Sequence, residues 1–223
     1  MKSAMLIIFD IDDVLLDRRK KEKYFVEKTH RLLRKNKLNI KKSEFDSAWK
    51  EICKIAAPKG MSLSEMRSVL FKKLSIPQSL FEEYENIDKK SLKLIKPMEK
   101  HIASHLEKLK RSGYTVVALS NTVYSSKEKG KMLEFAGLGN TMEKIFVANE
   151  IRHRKPEKAA YRAVLDYFGV RPSDAIFVGH DKGELLGAKR AGIRTISYRG
   201  YKKVDFYAGK FSQILKYAEI MKQ

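Results

Sequence analysis

The sequence predicts a doubly wound α/β fold, a parallel sheet with helices on both faces, carrying an all-α insertion. Three observations lead there. Short apolar runs end in polar residues at Asp10, Ser120 and Gly179. Amphipathic stretches alternate with these runs. Residues 17–97 break the alternation and show helical periodicity alone.

Taken in order, Met5–Phe9, Thr115–Leu119 and Ala175–Val178 are continuous apolar runs, with weaker ones at Lys144–Ala148 and Arg194–Tyr198. Runs of this length suit strands buried on both faces of a parallel sheet. Helical patterns fall between them, at Glu99–Ser112, Ser126–Ala136, Glu157–Phe168 and Glu184–Ala191. Gly113, Gly137, Gly169 and Gly192 follow these helices, as left-handed C-terminal caps do. Within 17–97, Tyr24/Phe25 with Leu32/Leu33, Phe45 with Trp49 and Ile52/Cys53, Leu63 with Met66 and Leu70, and Phe81 with Tyr84 mark four helices. The expected division is therefore a core of residues 1–16 and 98–223, and a helical domain of residues 17–97.

A chain of 223 residues with 43% apolar composition can bury a core without disulfide or metal support. The single cysteine, Cys53, excludes an internal disulfide and fits a reducing compartment. Met5–Phe9 is too short for a signal-peptide core or a membrane span, so a cytoplasmic protein is expected. The net charge is +20, spread over short basic runs rather than one block. Residues 17–97 hold 22 Lys+Arg against 11 Asp+Glu and are the more basic part. A solvated surface that steers anions explains this, and nucleic acid is not the expected partner.

In such sheets ligands bind beyond the carboxyl ends of the strands. The polar residues there are Asp10-Ile11-Asp12-Asp13, Ser120-Asn121-Thr122, Arg154-Lys155-Pro156 and Gly179-His180-Asp181 with Glu184. Clustered carboxylates repel unless a cation joins them. Asp and Glu oxygens suit a hard divalent ion, and a carboxylate can attack phosphorus.

These residues carry a resemblance. Phe9-Asp10-Ile11-Asp12-Asp13-Val14-Leu15, Ser120-Asn121, Arg154-Lys155-Pro156 and Val178–Ala188 resemble, in order, the four motifs of the haloacid dehalogenase-like hydrolase superfamily. The resemblance implies a Rossmann-like core with a helical cap inserted between the first and second motifs. It also implies a Mg²⁺-dependent phosphatase for a small phosphorylated metabolite. Asp10 would form an aspartyl-phosphate, and Asp12 would act as general acid and base while its carbonyl reaches Mg²⁺. Ser120 and Asn121 would bind the phosphoryl group, Lys155 would neutralise it, and Asp181 and Glu184 would complete the magnesium site. A phosphomutase on the same core, or a weakened binding module for an anionic partner, are the alternatives. Dehalogenases of the family need no metal and lack the second acidic residue, here Asp12.

The fourth motif departs from the family, which places Asp where His180 stands. Either the metal carboxylate has moved to Asp181, the arrangement preferred here, or Glu184 is the ligand. Structural roles compete at each position: Asp181 and Ser120 as helix caps, Lys155 as a solvated lysine, Arg18 and Arg19 as surface. His101 and His105, four apart on a helix, lack the Glu of a zinc protease motif and are read as a solvated face.

Overall fold

The computed structural model describes residues 5–222; residues 1–4 and 223 of the expected core lie outside the described residues. The chain runs β1 (Met5–Phe9), β2 (Leu16–Asp17), α1 (Arg19–Lys35), α2 (Lys42–Lys59), α3 (Leu63–Lys73), α4 (Phe81–Leu92) and β3 (Lys96–Pro97). It continues α5 (Ile102–Arg111), β4 (Tyr114–Ser120), α6 (Ser126–Phe135), β5 (Lys144–Val147), α7 (Ala148–Ile151) and α8 (Lys158–Phe168). It closes with β6 (Ala175–Gly179), α9 (Lys182–Arg190), β7 (Arg194–Tyr198), β8 (Phe206–Ala208) and α10 (Ser212–Lys222).

Six strands form one parallel sheet in the order β5-β4-β1-β6-β7-β8. From β4 the chain steps outward to β5, then crosses β1 and steps outward again through β6, β7 and β8. The reversal beside β1 opens the crevice where such sheets bind ligands. Alternate residues of β1 serve opposite faces, as the pleat requires. Ile7 and Phe9 join one core with α5, α6 and α10; Leu6 and Ile8 join the other with α8 and α9. Both faces being covered, β1 is apolar throughout, and that is what made it legible.

The four helices expected in the insert are present, with their own core of Phe45, Met66, Leu70, Phe71 and Tyr84. One feature of 17–97 departs from expectation: both ends carry short strands, β2 and β3, paired antiparallel as Leu16↔Pro97 and Asp17↔Lys96. This ribbon pins the two points where the chain leaves and re-enters the sheet. β8 and α10 were also absent from the sequence reading. Among the described residues no helix is long and apolar enough to cross a membrane.

Candidate active site

Asp10 extends β1 by one bond, its N–H donating to the Val178 carbonyl of β6 at 2.8 Å. The turn that follows places Asp13 at φ +60°, a left-handed conformation that Asp tolerates better than most residues. It leaves the Asp10 carboxylate at the floor of the rim, 5% exposed. Lys155 Nζ lies 2.8 Å from Asp10 Oδ1, and His180 Nδ1 lies 3.4 Å from Oδ2. Burial alone would push the Asp10 carboxyl up. Lys155 and His180 outweigh it and hold the group below its ordinary value.

Lys155 is placed by a long-range brace. Asn121 Oδ1 accepts from the Lys155 N–H at 2.9 Å, and Asn121 Nδ2 donates to the Lys155 carbonyl at 2.8 Å. The same Nδ2 donates to Glu184 Oε1 at 3.0 Å. The Asn121 amide is thus occupied at both ends and acts as a bracket that sets Lys155 and Glu184. Helix α9 backs this loop closely: a Cβ on Gly187 would lie 2.6 Å from the Pro156 carbonyl oxygen. Ser120, at the end of β4, has a buried hydroxyl with no hydrogen-bond partner among the described residues. An orphaned buried hydroxyl costs about 1–3 kcal/mol, which a phosphoryl oxygen would relieve.

Asp12 is held by residues the sequence reading did not find. Lys129 Nζ lies 2.8 Å from both Asp12 oxygens, and Arg18 Nε lies 3.0 Å from Oδ1. Lys129 is wholly buried. Burial pulls its ammonium below the ordinary lysine value, against the pull of Asp12. It reaches the site from α6, whose start is fixed by a capping box: Ser125 Oγ accepts from Glu128 N–H at 3.2 Å, and Glu128 Oε2 accepts from Ser125 N–H at 2.7 Å. Lys129 shares the inward stripe of α6 with Met132 and Leu133. A lysine at the helical spacing of Met132 and Leu133 was the available signal, with Lys127 and Lys131 close by in the sequence. Arg18, read as surface, is half-buried here, whereas Arg19 is 80% exposed and pairs with Asp17.

Glu184, not Asp181, reaches the centre. Glu184 Oε2 lies 2.8 Å from Lys155 Nζ. Its carboxyl is raised by burial and by the nearby Asp10, against Lys155. Asp181 is exposed and caps α9, accepting from the Glu184 N–H at 2.9 Å. Asp181 commits Oδ1 to the helix cap, which leaves its expected role as a metal carboxylate to Oδ2. His180, at the position where the family has Asp, turns its Nδ1 to Asp10 instead.

Above the rim lies a cleft of about 900 Å³ between the insert and the core. Asp12, Asn121 and Thr122 line it from below and Arg18 and Arg154 supply cationic walls, while Lys21 and Arg67 border it already paired with Asp88. Asp10 lies beneath this lining, with 7% of its side chain exposed. Cys53 also borders the cleft, half-buried, with burial pushing its thiol up. His105 packs on Phe211 at 5.9 Å between ring centres and takes no part.

The donor set does not suit magnesium. Mg²⁺ asks for oxygen ligands in octahedral array at about 2.0–2.1 Å. Here Asp10 is shared by Lys155 and His180, Asp12 by Lys129 and Arg18, and Glu184 by Lys155 and Asn121. Among the described residues no three His, Cys, Asp or Glu side chains converge to hold a metal ion.

Comparison with known proteins adds to this geometry. The chain is similar to a pyrophosphatase of Bacillus velezensis, 28% identical over 90 residues, 40% of this chain and 41% of the relative. It is also similar to phosphoglycolate phosphatase 1 of Pseudomonas aeruginosa, 30% identical over 93 residues, 42% of this chain and 34% of the relative. The chain thus spans well under half the length of these curated relatives. A 2-haloacid dehalogenase from Pseudomonas syringae shares the fold with TM-score 0.75 at 19% identity, covering 97% of this chain and 98% of the other. A HAD hydrolase of Bacillus subtilis, solved bound to magnesium, shares it with TM-score 0.70 at 15% identity, covering 98% and 100%. The family model for haloacid dehalogenase-like hydrolases matches residues 7–198, and the chain belongs to that family.

Proposed function

We propose that the protein hydrolyses a phosphate ester of a small metabolite through a phosphoenzyme formed on Asp10, with the helical insert as a cap over the rim. One observation carries this reading over carbon–halogen hydrolysis: a second carboxylate, Asp12, faces the cleft two residues beyond Asp10 and is oriented by Lys129 at 2.8 Å. Halide departure needs no proton donor, whereas an alkoxide leaving group and the later attacking water both exchange protons with a nearby group. In the first step an Asp10 oxygen bonds to phosphorus, the ester P–O bond breaks, and the leaving oxygen takes the proton of the Asp12 carboxyl, which the second step returns. In the second step water attacks phosphorus, its proton passes to Asp12, and the Asp10–P bond breaks to give phosphate. Lys155 neutralises charge at Asp10, and the Ser120 hydroxyl is free to donate to a phosphoryl oxygen.

The cationic cleft walls suit an anionic substrate. No step above passes through the magnesium that the family resemblance implies, since Asp10, Asp12 and Glu184 are already paired with Lys155, Lys129 and Arg18. The single cysteine fits a reducing cytoplasm.

The reading is tested by assaying purified protein for phosphate release from p-nitrophenyl phosphate and for chloride release from 2-chloropropionate. Phosphate without chloride is expected. Chloride without phosphate would replace the proposal with haloacid hydrolysis.

A further inference from the structure

Carboxylates gathered on one rim need a cation. The structure supplies those cations as side chains. Asp10 and Glu184 share Lys155, each at 2.8 Å, and Asp12 sits between Lys129 and Arg18 at 2.8 and 3.0 Å. Three carboxylates therefore meet three cationic partners. At the position next to Asp10 where another carboxylate would complete a hard-cation site stands His180, Nδ1 3.4 Å from Asp10 Oδ2. An imidazole, whichever nitrogen carries its proton, brings no negative charge and is a poor ligand for a hard ion. The remaining acid of this segment, Asp181, is turned to the start of α9.

We propose that this chain works without a divalent ion, Lys155 and His180 taking over at Asp10 the charge compensation and carboxylate orientation that a metal would give. The inference rests on the phosphoryl-transfer reading for its chemistry, but its first test does not. Fixed donors already in place need no reorganisation during reaction, so they can substitute for an ion in stabilising an oxyanion. Replacing His180 by a carboxylate would leave Asp10 flanked by an anion and restore the need for a metal.

Calorimetric titration of the chelator-treated full chain with MgCl₂, and separately with MnCl₂, is the direct measurement. No saturable heat in the millimolar range is expected for the wild type, and a saturable signal is expected for His180→Asp. With p-nitrophenyl phosphate, wild-type turnover should differ less than about twofold between EDTA and Mg²⁺, because no Lewis-acid contribution is lost. Saturable binding by the wild type that Asp10→Asn abolishes would overturn the inference, as would turnover that EDTA stops. A folded His180→Asp protein that still binds no ion would overturn the assignment of His180 as the barrier. Absence of phosphate release in both EDTA and Mg²⁺ would sink the proposed function alone, since the titration decides the metal independently.

Discussion

Two buried ionic networks lie one on each side of the cleft, and they differ in how completely they are satisfied. In the insert, Asp88 on α4 takes Lys21 of α1 at 2.8 Å through Oδ1 and Arg67 of α3 through Oδ2. Ser91 and the Tyr124 hydroxyl close the remaining positions, and no side-chain polar atom of Lys21, Arg67, Asp88 or Tyr124 is left buried and unpaired. At the rim, Asp10, Glu184 and Lys155 are similarly paired, yet the Ser120 hydroxyl beside them is orphaned and His180 Nδ1 has only the 3.4 Å contact to Asp10. A saturated network has nothing left to offer a ligand and serves the packing of three helices and the loop after β4. An unsaturated one stores binding capacity. Burial and charge alone do not separate a site from a strut; the unspent hydrogen bond does.

The comparison is broken most directly by exchanging the damage. Asp10→Asn keeps size and burial and should reduce phosphate release by at least about a thousandfold, as loss of a covalent nucleophile does, with little change in thermal midpoint. Asp88→Ala removes the partner of two cations whose side chains are under a tenth exposed. It should destabilise the protein by about 3–5 kcal/mol, because buried Lys21 loses its carboxylate partner and Arg67 is left with Glu85 at 3.3 Å. Thermal melts and phosphate assays on both variants read the two effects apart. A stable Asp88→Ala protein with abolished turnover would place Asp88 in the reaction and erase the distinction.

What the sequence disclosed follows the same line between local and non-local causes. β1, β4 and β6 were readable because strands buried on both faces must be apolar without interruption. Asp10 and Lys155 were readable because the strand ends of such a sheet converge. The ribbon joining Leu16 to Pro97 was not, since two-residue strands have no periodicity and their pairing spans the whole insert. β8 is three residues long, and apolar residues of α10 lie on more than one face: Ile214 and Met221 are buried, Ile220 is exposed. Asp181 and Glu184 have the spacing of a helix cap and its third residue, and in the structure Asp181 caps α9 while Glu184 meets Lys155. Capping decided which of the two could leave the helix start and reach Lys155. Lys129 was hidden by its neighbours Lys127 and Lys131, yet the helical period had already placed it with Met132.

Acid sharpens the contrast by a smaller amount. Burial would push the Asp88 carboxyl up, but Lys21 and Arg67 outweigh it and hold it below the ordinary value of 3.8. A carboxyl lowered in the folded state contributes stability at pH above its unfolded value, and that contribution is lost as pH falls through the folded one. Asp88→Asn should therefore be less stable than wild type at pH 7. The gap should begin to close as the pH falls below about 4, where the carboxyl of the unfolded chain takes up its proton, and vanish once the folded one does. Urea midpoints for both proteins across that range measure it. A gap independent of pH would mean that the charge on Asp88 contributes nothing.

The finest division runs through Tyr124, whose ring lies between the two networks. Lys21 and Lys129 approach it at 5.6 and 5.8 Å, and its hydroxyl accepts from Lys21 at 3.2 Å and donates to Asp88 at 3.3 Å. Tyr124→Phe keeps the ring, and with it the packing that holds Lys129 against Asp12, and deletes the hydroxyl alone. If the hydroxyl belongs to the strut, the loss is that of one net hydrogen bond, about 0.5–1.5 kcal/mol. In a chain of this size that lowers the thermal midpoint by about 1–6 °C. The phosphate-release rate should stay within about twofold, since Asp12 keeps both of its cations. A rate that falls tenfold with the midpoint unchanged would move Tyr124 to the other side, as a group that meets the substrate in the cleft it lines with Asp12.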